Sequence, residues 1–257
     1  MRAQRSLLLL ALGGCTAFGA EPAPAPAPPA PTSSTTPPAP DGGAAAPDGG
    51  EPSSALCAAK HTLCDDFESG GTSRWSDMEG SESGSITVVE SPDDPSQHVL
   101  EAKLEGNSEH NPSVQLKHFA PIRAEHVELS FDVKLLQTPT NDDAQFFAVL
   151  HFRTQPPSQI NVGYQDGRLH LAVNPSHARR HSDDPVALTS WTRLKVSIDW
   201  SNEHPRIEVF QNGASRFVET PKLPTTRDDE LHLDFGVYVS PTTAAHTLFD
   251  NVVYDVR

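Results

Sequence analysis

Basic residues are scarce in this chain: 19 Lys and Arg stand against 34 Asp and Glu over 257 residues, a net charge of −15. The deficit persists beyond the N-terminus, since residues 56–257 alone hold 17 bases and 30 acids. A domain so acidic repels polyanions. That excludes a general nucleic-acid binder and admits an acidic polysaccharide only where bases cluster locally. Cysteine is limited to three residues, with no further Cys or nearby His at ligand spacing, which excludes a zinc knuckle. The longest apolar run, Leu7–Leu12, is too short to cross a bilayer. The chain has no G-x-S-x-G elbow and no P-loop, and no predicted strand carries E-x-D-x-x-E. Serine-hydrolase, nucleotide-phosphate and paired-carboxylate glucanase chemistry are thereby excluded in their usual forms. No stretch of the domain shows a helical apolar period with caps.

Proline is plentiful but uneven. Eleven of the 24 fall between Pro22 and Pro52, where no aromatic residue occurs. Such a segment cannot bury enough apolar surface to offset its ordering entropy, and its Pro22–Pro31 part reads as extended polyproline II. Residues 15–55 are therefore expected to be a linker and residues 56–257 a single domain. Residues 1–14 read as a processing signal, with Arg2 and Arg5 ahead of the apolar Leu7–Leu12. Leu12-Gly13-Gly14-Cys15 resembles a bacterial lipobox. That resemblance implies export and lipidation of Cys15, with several acyl chains giving a stable membrane anchor. Thr16, not Asp, follows the cysteine, which points to the outer membrane. Cys57 and Cys64, seven apart, are expected to close a disulfide loop in an oxidising compartment.

From Phe67 onward the chain reads as many short strands separated by turn signals. Expected strands are Ile86–Glu90, His98–Leu104, Ser113–Phe119, Val127–Leu135, Gln145–Arg153, Ile160–Tyr164 and Arg168–Val173. Trp191–Trp200, Arg206–Gln211, Leu231–Val239 and Thr247–Val256 follow. Leu169, Leu171 and Val173 alternate with Arg168, His170 and Ala172. Leu231, Leu233, Phe235 and Val237 alternate with His232, Asp234, Gly236 and Tyr238. Asp166-Gly167 and Asn212-Gly213 are hairpin turns. The expected fold is all-β, a two-sheet antiparallel sandwich.

Particular motifs narrow this. Asp65-Asp66-Phe67-Glu68-Ser69-Gly70, then Trp75, resembles the opening strand of concanavalin A-like jelly rolls. Trp191-Thr192-Arg193-Leu194-Lys195-Val196, the Ile207–Gly213 hairpin and the closing Leu248–Val253 are similar to the later ones. The nearest patterns are cellulose-induced fungal jelly-roll proteins, alginate-lyase-like polysaccharide lyases and carbohydrate-binding modules. The resemblance implies a structural Ca²⁺ held by the Glu68 and Asp250 carboxylates with backbone carbonyls, Asp66 being able to add oxygens. It also implies a glycan groove on the solvent side of one sheet. Alternation places Phe146, Ala148, Leu150 and Phe152 in the core and Gln145, Phe147, Val149, His151 and Arg153 outward. Gln115, Lys117, His151, Arg153, Asn161, Gln165, Arg168, His170, His232, Asp234 and Tyr238 are the expected sugar contacts.

The lyase motifs align only partly: Ser113–Lys117 with R-[ST]-E-L-R, Val149–His151 with Q-[IV]-H, and Leu233–Tyr238 with the Tyr-containing third motif. By that resemblance His151 would be the base, Tyr238 the acid and Lys117 the group that neutralises a uronate carboxylate. Ser113, Val149 and Asp234 depart from the pattern, and a carboxylate at Asp234 would repel the substrate's own. The loop His177-Ala178-Arg179-Arg180-His181 offers local positive charge. Three readings follow: a monomeric, surface-tethered, lectin-like polysaccharide binder; a lyase cleaving a uronate-containing glycan by β-elimination; and a non-catalytic structural envelope protein.

Overall fold

A computed structural model describes residues 55–105, 112–121, 124–138, 144–154, 156–223, 227–240 and 244–257. The signal, Cys15 and the linker to residue 54 lie outside the described residues. After a 3₁₀ turn at Ala55–Ala58 come β1 (Leu63–Asp65), β2 (Asp77–Gly80), β3 (Gly84–Glu90), β4 (His98–Leu104), β5 (Ser113–Ala120) and β6 (His126–Gln137). β7 (Ala144–Thr154), β8 (Ser158–Gln165), β9 (Arg168–Asn174), β10 (Ala178–His181) and β11 (Thr192–Asp199) follow. β12 (Arg206–Gln211), β13 (Ala214–Glu219), β14 (Arg227–Ser240) and β15 (Ala245–Val256) complete the series.

The strands form two antiparallel sheets, the jelly-roll sandwich that the alternation predicts. One runs β13-β12-β11-β6-β15-β4-β3, with β1 added on β15; the other runs β10-β9-β8-β7-β14-β5-β2. Between the sheets lies one apolar core. At its centre Phe131 of β6 and Phe249 of β15 meet Phe147 of β7 and Phe235 of β14, with ring centroids 4.9 to 6.4 Å apart. Each fully buried ring contributes about 2–3 kcal/mol of apolar burial, and the edge-on geometry adds to it.

Cys57 and Cys64 form the expected disulfide, with Cα atoms 5.5 Å apart. It ties the 3₁₀ turn to β1. The Asp65–Glu68 segment differs from the expected opening strand. β1 stops at Asp65, whose carboxylate accepts hydrogen bonds from Phe67 N and Trp75 Nε1. That turn holds Phe67 at φ 57° and drives its ring into the core.

A second difference shapes the groove. Gln145 and Phe147 face the core, and Phe146 faces out. Gln145 donates to Thr247 Oγ1 of the opposite sheet, and Phe147 is fully buried. The cause is a β-bulge: register against β8 shifts between Phe146 and Ala148, so two successive residues share a face. A glycine makes room for it: a Cβ on Gly163, opposite Phe146, would lie 2.0 Å from Gln145 O. On the β5 side of β14, a Cβ on Gly236, at φ 147°, would lie 2.3 Å from Val114 O.

Candidate functional site

The outer face of the β10-to-β2 sheet carries a hollow of about 510 Å³. Register alone sets out its floor. One row crosses the sheet as Phe119, His232, His151, Gln159 and Asn174. The next runs Asp77, Lys117, Asp234, Val149, Asn161, Ala172 and Arg179. Beyond the bulge a third runs Ser113, Tyr238, Phe146, Gly163, His170 and His181. Gln115 sits between the last two rows, opposite Gly236. The β9–β10 turn supplies one wall through Asn174, His177 and Arg179.

Of the expected sugar contacts, Gln115, His151, Asn161, Asp234 and Tyr238 line this hollow. Others share the face but not the lining, each for a visible reason. The Lys117 ammonium is paired with Glu79, and that bond, with Asp234 and Asp77 nearby, raises its pKa. Arg153 pairs with Glu230 at a neighbouring hollow shared with His232. Gln165 lies beyond the third row, 3.2 Å from His181 Nε2. Arg168 donates to the carbonyls of Ser182 and Asp183 and is spent on that loop. His170 is buried between Phe146 and His181, with centroids 5.4 and 4.5 Å away. Burial, then the charges of His181 and Arg179, push its pKa down to about 4. Phe146, Gln159, His177 and Arg179 line the hollow although the strand pattern did not place them there.

Asp234 is the most constrained group in the hollow. Its Oδ2 lies 2.9 Å from His151 Nε2 and its Oδ1 2.6 Å from His232 Nε2. Burial would push the carboxyl up, but the His151 hydrogen bond and the charges of the two histidines outweigh it and hold the pKa well below the usual range. The His151 ring stacks on His232 at 5.1 Å, and its Nδ1 faces the Gln159 amide at 3.1 Å. Both nitrogens of His151 are therefore engaged. Tyr238 packs against Phe146 at 5.9 Å, and burial raises its pKa. At roughly 3.3 Å per residue, the Tyr238 row lies roughly 13 to 20 Å from the His151 row along the strands.

The Glu68 and Asp250 carboxylates belong to the other sheet, where Asp250 sits on β15, an inner strand between β6 and β4, and Glu68 in the loop after β1. Asp250 borders a hollow of about 180 Å³ with Ser91, Asp132, Trp191 and Asn251. Burial first, then the charges of Asp132, Glu68 and Asp66, push its pKa up to about 7. Glu68 accepts a hydrogen bond from His98 N. Buried Asp66, part-buried Asp250 and Asp132 and exposed Glu68 bring carboxylates that repel one another into one region, hard-oxygen donors of the kind Ca²⁺ takes.

No protein-family model and no curated protein matches the chain. Its fold is that of several solved polysaccharide lyases and of a cellulose-induced protein. An endo-β-1,4-glucuronan lyase from the fungus Trichoderma reesei matches with TM-score 0.60 at 13% identity, over 77% of this chain and 96% of the lyase. The cellulose-induced protein Cip1 matches with TM-score 0.59 at 14% identity, over 75% and 96%. An alginate lyase variant in complex with an alginate trisaccharide matches with TM-score 0.56 at 14% identity, over 77% and 98%. At these identities the likeness is one of fold.

Proposed function

We propose that the domain is a carbohydrate-binding module that holds a polysaccharide in the β10-to-β2 hollow. The observation that carries this reading is the hollow's lining. Planar amides and imidazoles (Gln115, Gln159, Asn161, His151) surround the Phe146–Tyr238 aromatic pair, with Arg179 on the wall. Sugars are bound by such planar donors and acceptors beside an apolar ring. Arg179 supplies the local positive charge that an acidic domain needs to accept a uronate. The solved structures of like fold include lyases, one holding an alginate trisaccharide, which supports a glycan as ligand.

Binding is favoured over elimination by two features. His151 has both ring nitrogens engaged, leaving none to take an α-proton. Tyr238 sits rows away from it, whereas a base and an acid that serve one elimination must reach the same sugar ring. The reading extends to the whole chain: Cys15 carries a lipid anchor at the outer membrane, and the linker from residue 16 to 55 lets a monomeric domain sample nearby glycans at raised effective concentration. Glu68 and Asp250, with Asp66 and backbone carbonyls, would hold a structural Ca²⁺; bound there, the ion would offset the burial and the acidic neighbours that raise Asp250.

The test is a glycan array and affinity electrophoresis with the full chain, across neutral and uronate-containing polysaccharides. Binding that falls at least tenfold in Tyr238→Ala and Asn161→Ala is expected. Silence across all classes sinks the reading. Ultraviolet-absorbing unsaturated products from alginate or glucuronan would replace it with the lyase.

A further inference from the structure

His151 and Asp234 at one end of the hollow, with His232 beside them, form a ligand set of which the proposed sugar contacts use only His151. His151 and His232 are direct cross-strand partners, and Asp234 follows two residues on along the same face. One nitrogen from each imidazole and one carboxylate oxygen lie within 4.8 Å of one another. His232 Nε2 and Asp234 Oδ1 lie 2.6 Å apart. Both atoms are buried, and neither has a hydrogen-bond partner. Two orphaned polar atoms that face each other suit a cation taking a lone pair from each.

We propose that His151, His232 and Asp234 form a transition-metal site of the zinc class. Two imidazoles and one carboxylate are borderline donors that suit Zn²⁺ and its first-row neighbours, whereas Ca²⁺ takes oxygens alone. Three protein ligands leave a fourth tetrahedral position open. His151 and Asp234 both line the hollow, so that position faces it. The outer contacts also fit. A ligating imidazole needs its second N–H held by an acceptor, and Gln159 lies 3.1 Å from His151 Nδ1. A flip of the Gln159 amide presents its oxygen there. Phe119 stacks on His232 at 4.3 Å and fixes that ring. Lys117, opposite Asp234 on β5, is already paired with Glu79 and has Asp77 beside it. The site stands on its own geometry and is independent of any glycan.

The full chain, stripped with a chelator, is titrated with Zn²⁺ by calorimetry and with Co²⁺ by visible absorption. One ion per chain and a cobalt ligand-field band are expected. His232→Gln and Asp234→Asn, checked for fold by circular dichroism, abolish both signals; Gln159→Ala weakens binding by about ten- to a hundredfold. X-ray absorption of the zinc-loaded wild type shows two imidazole shells, which decides the matter if a variant unfolds. No binding by the folded wild type, an oxygen-only shell, or one-to-one binding that survives in His232→Gln/Asp234→Asn overturns the proposal.

Discussion

Buried without a hydrogen-bond partner on either ring nitrogen, His170 makes the fold sensitive to acid in a calculable way. Its ordinary pKa of 6.5 is pushed down to about 4, chiefly by burial and further by His181 and Arg179. Between those two values the unfolded chain binds a proton that the folded chain excludes. Stability is therefore fully present above pH 6.5 and is lost as pH falls toward 4. The complete loss is about 3 kcal/mol, and about 2 kcal/mol is gone by pH 5. For a domain of this size that is a fall in Tm of about 4–8 °C. Other groups titrate over the same range, so the informative quantity is a difference. His170→Phe keeps the stacking between Phe146 and His181 and removes the titration. Thermal melts of both proteins at pH 8 and pH 5 should show the variant gaining about 2 kcal/mol over the wild type on acidification. A gap between the two that is the same at both pH values would refute the argument. So would a His170 imidazole resonance that titrates near 6.5.

Three other perturbations have defined outcomes. Asp250, raised to about 7, stabilises the ion-free fold below its unfolded pKa and loses that stabilisation as pH rises through 7; melts in chelator should weaken from pH 5 to 8, and Ca²⁺ or Asp250→Asn should remove the weakening. Replacing Cys57 and Cys64 together by Ser should cost about 2 kcal/mol in denaturant melts, the loop-closure entropy of a short bridge. Gly163→Ala should cost about 3 kcal/mol, since its Cβ meets the Gln145 carbonyl, and should also weaken glycan binding by displacing Phe146 from the hollow.

Strand positions were legible wherever apolar and polar residues alternate. His98–Leu104 and Arg206–Gln211 agree with the structure at both ends, because each has a clear inner face and turn residues beyond it. The strands at Leu63–Asp65, Asp77–Gly80 and Ala178–His181 were not legible. They are three or four residues long, and Asp77–Gly80 is exposed throughout. Such short pieces carry too few residues to show a period and exist because a neighbour offers free backbone groups. Ala144–Leu150 shows another limit. Six of its seven residues are apolar or aromatic, so period two is silent about which one carries the bulge. The close approach that Gly163 permits decides it, and that contact lies in another strand.

The hollow was half legible for a related reason. Alternation told which residues leave the core, and Gln115, His151, Asn161, Asp234 and Tyr238 do reach the lining. It did not tell which of them stand side by side. On sequence alone Asp234 is a lone carboxylate that would repel a uronate. Register puts His151 opposite His232, and Asp234 is the next outward residue on that strand, so each imidazole faces one carboxylate oxygen. The same register sets Lys117 beside Asp234 but also beside Asp77, so its charge is shared with acids before any ligand arrives. Cross-strand neighbours of this kind fix the charge and the free lone pairs of a site, and they follow from strand order. A residue's outward direction therefore nominates it for the site, and only its row in the sheet gives it a role.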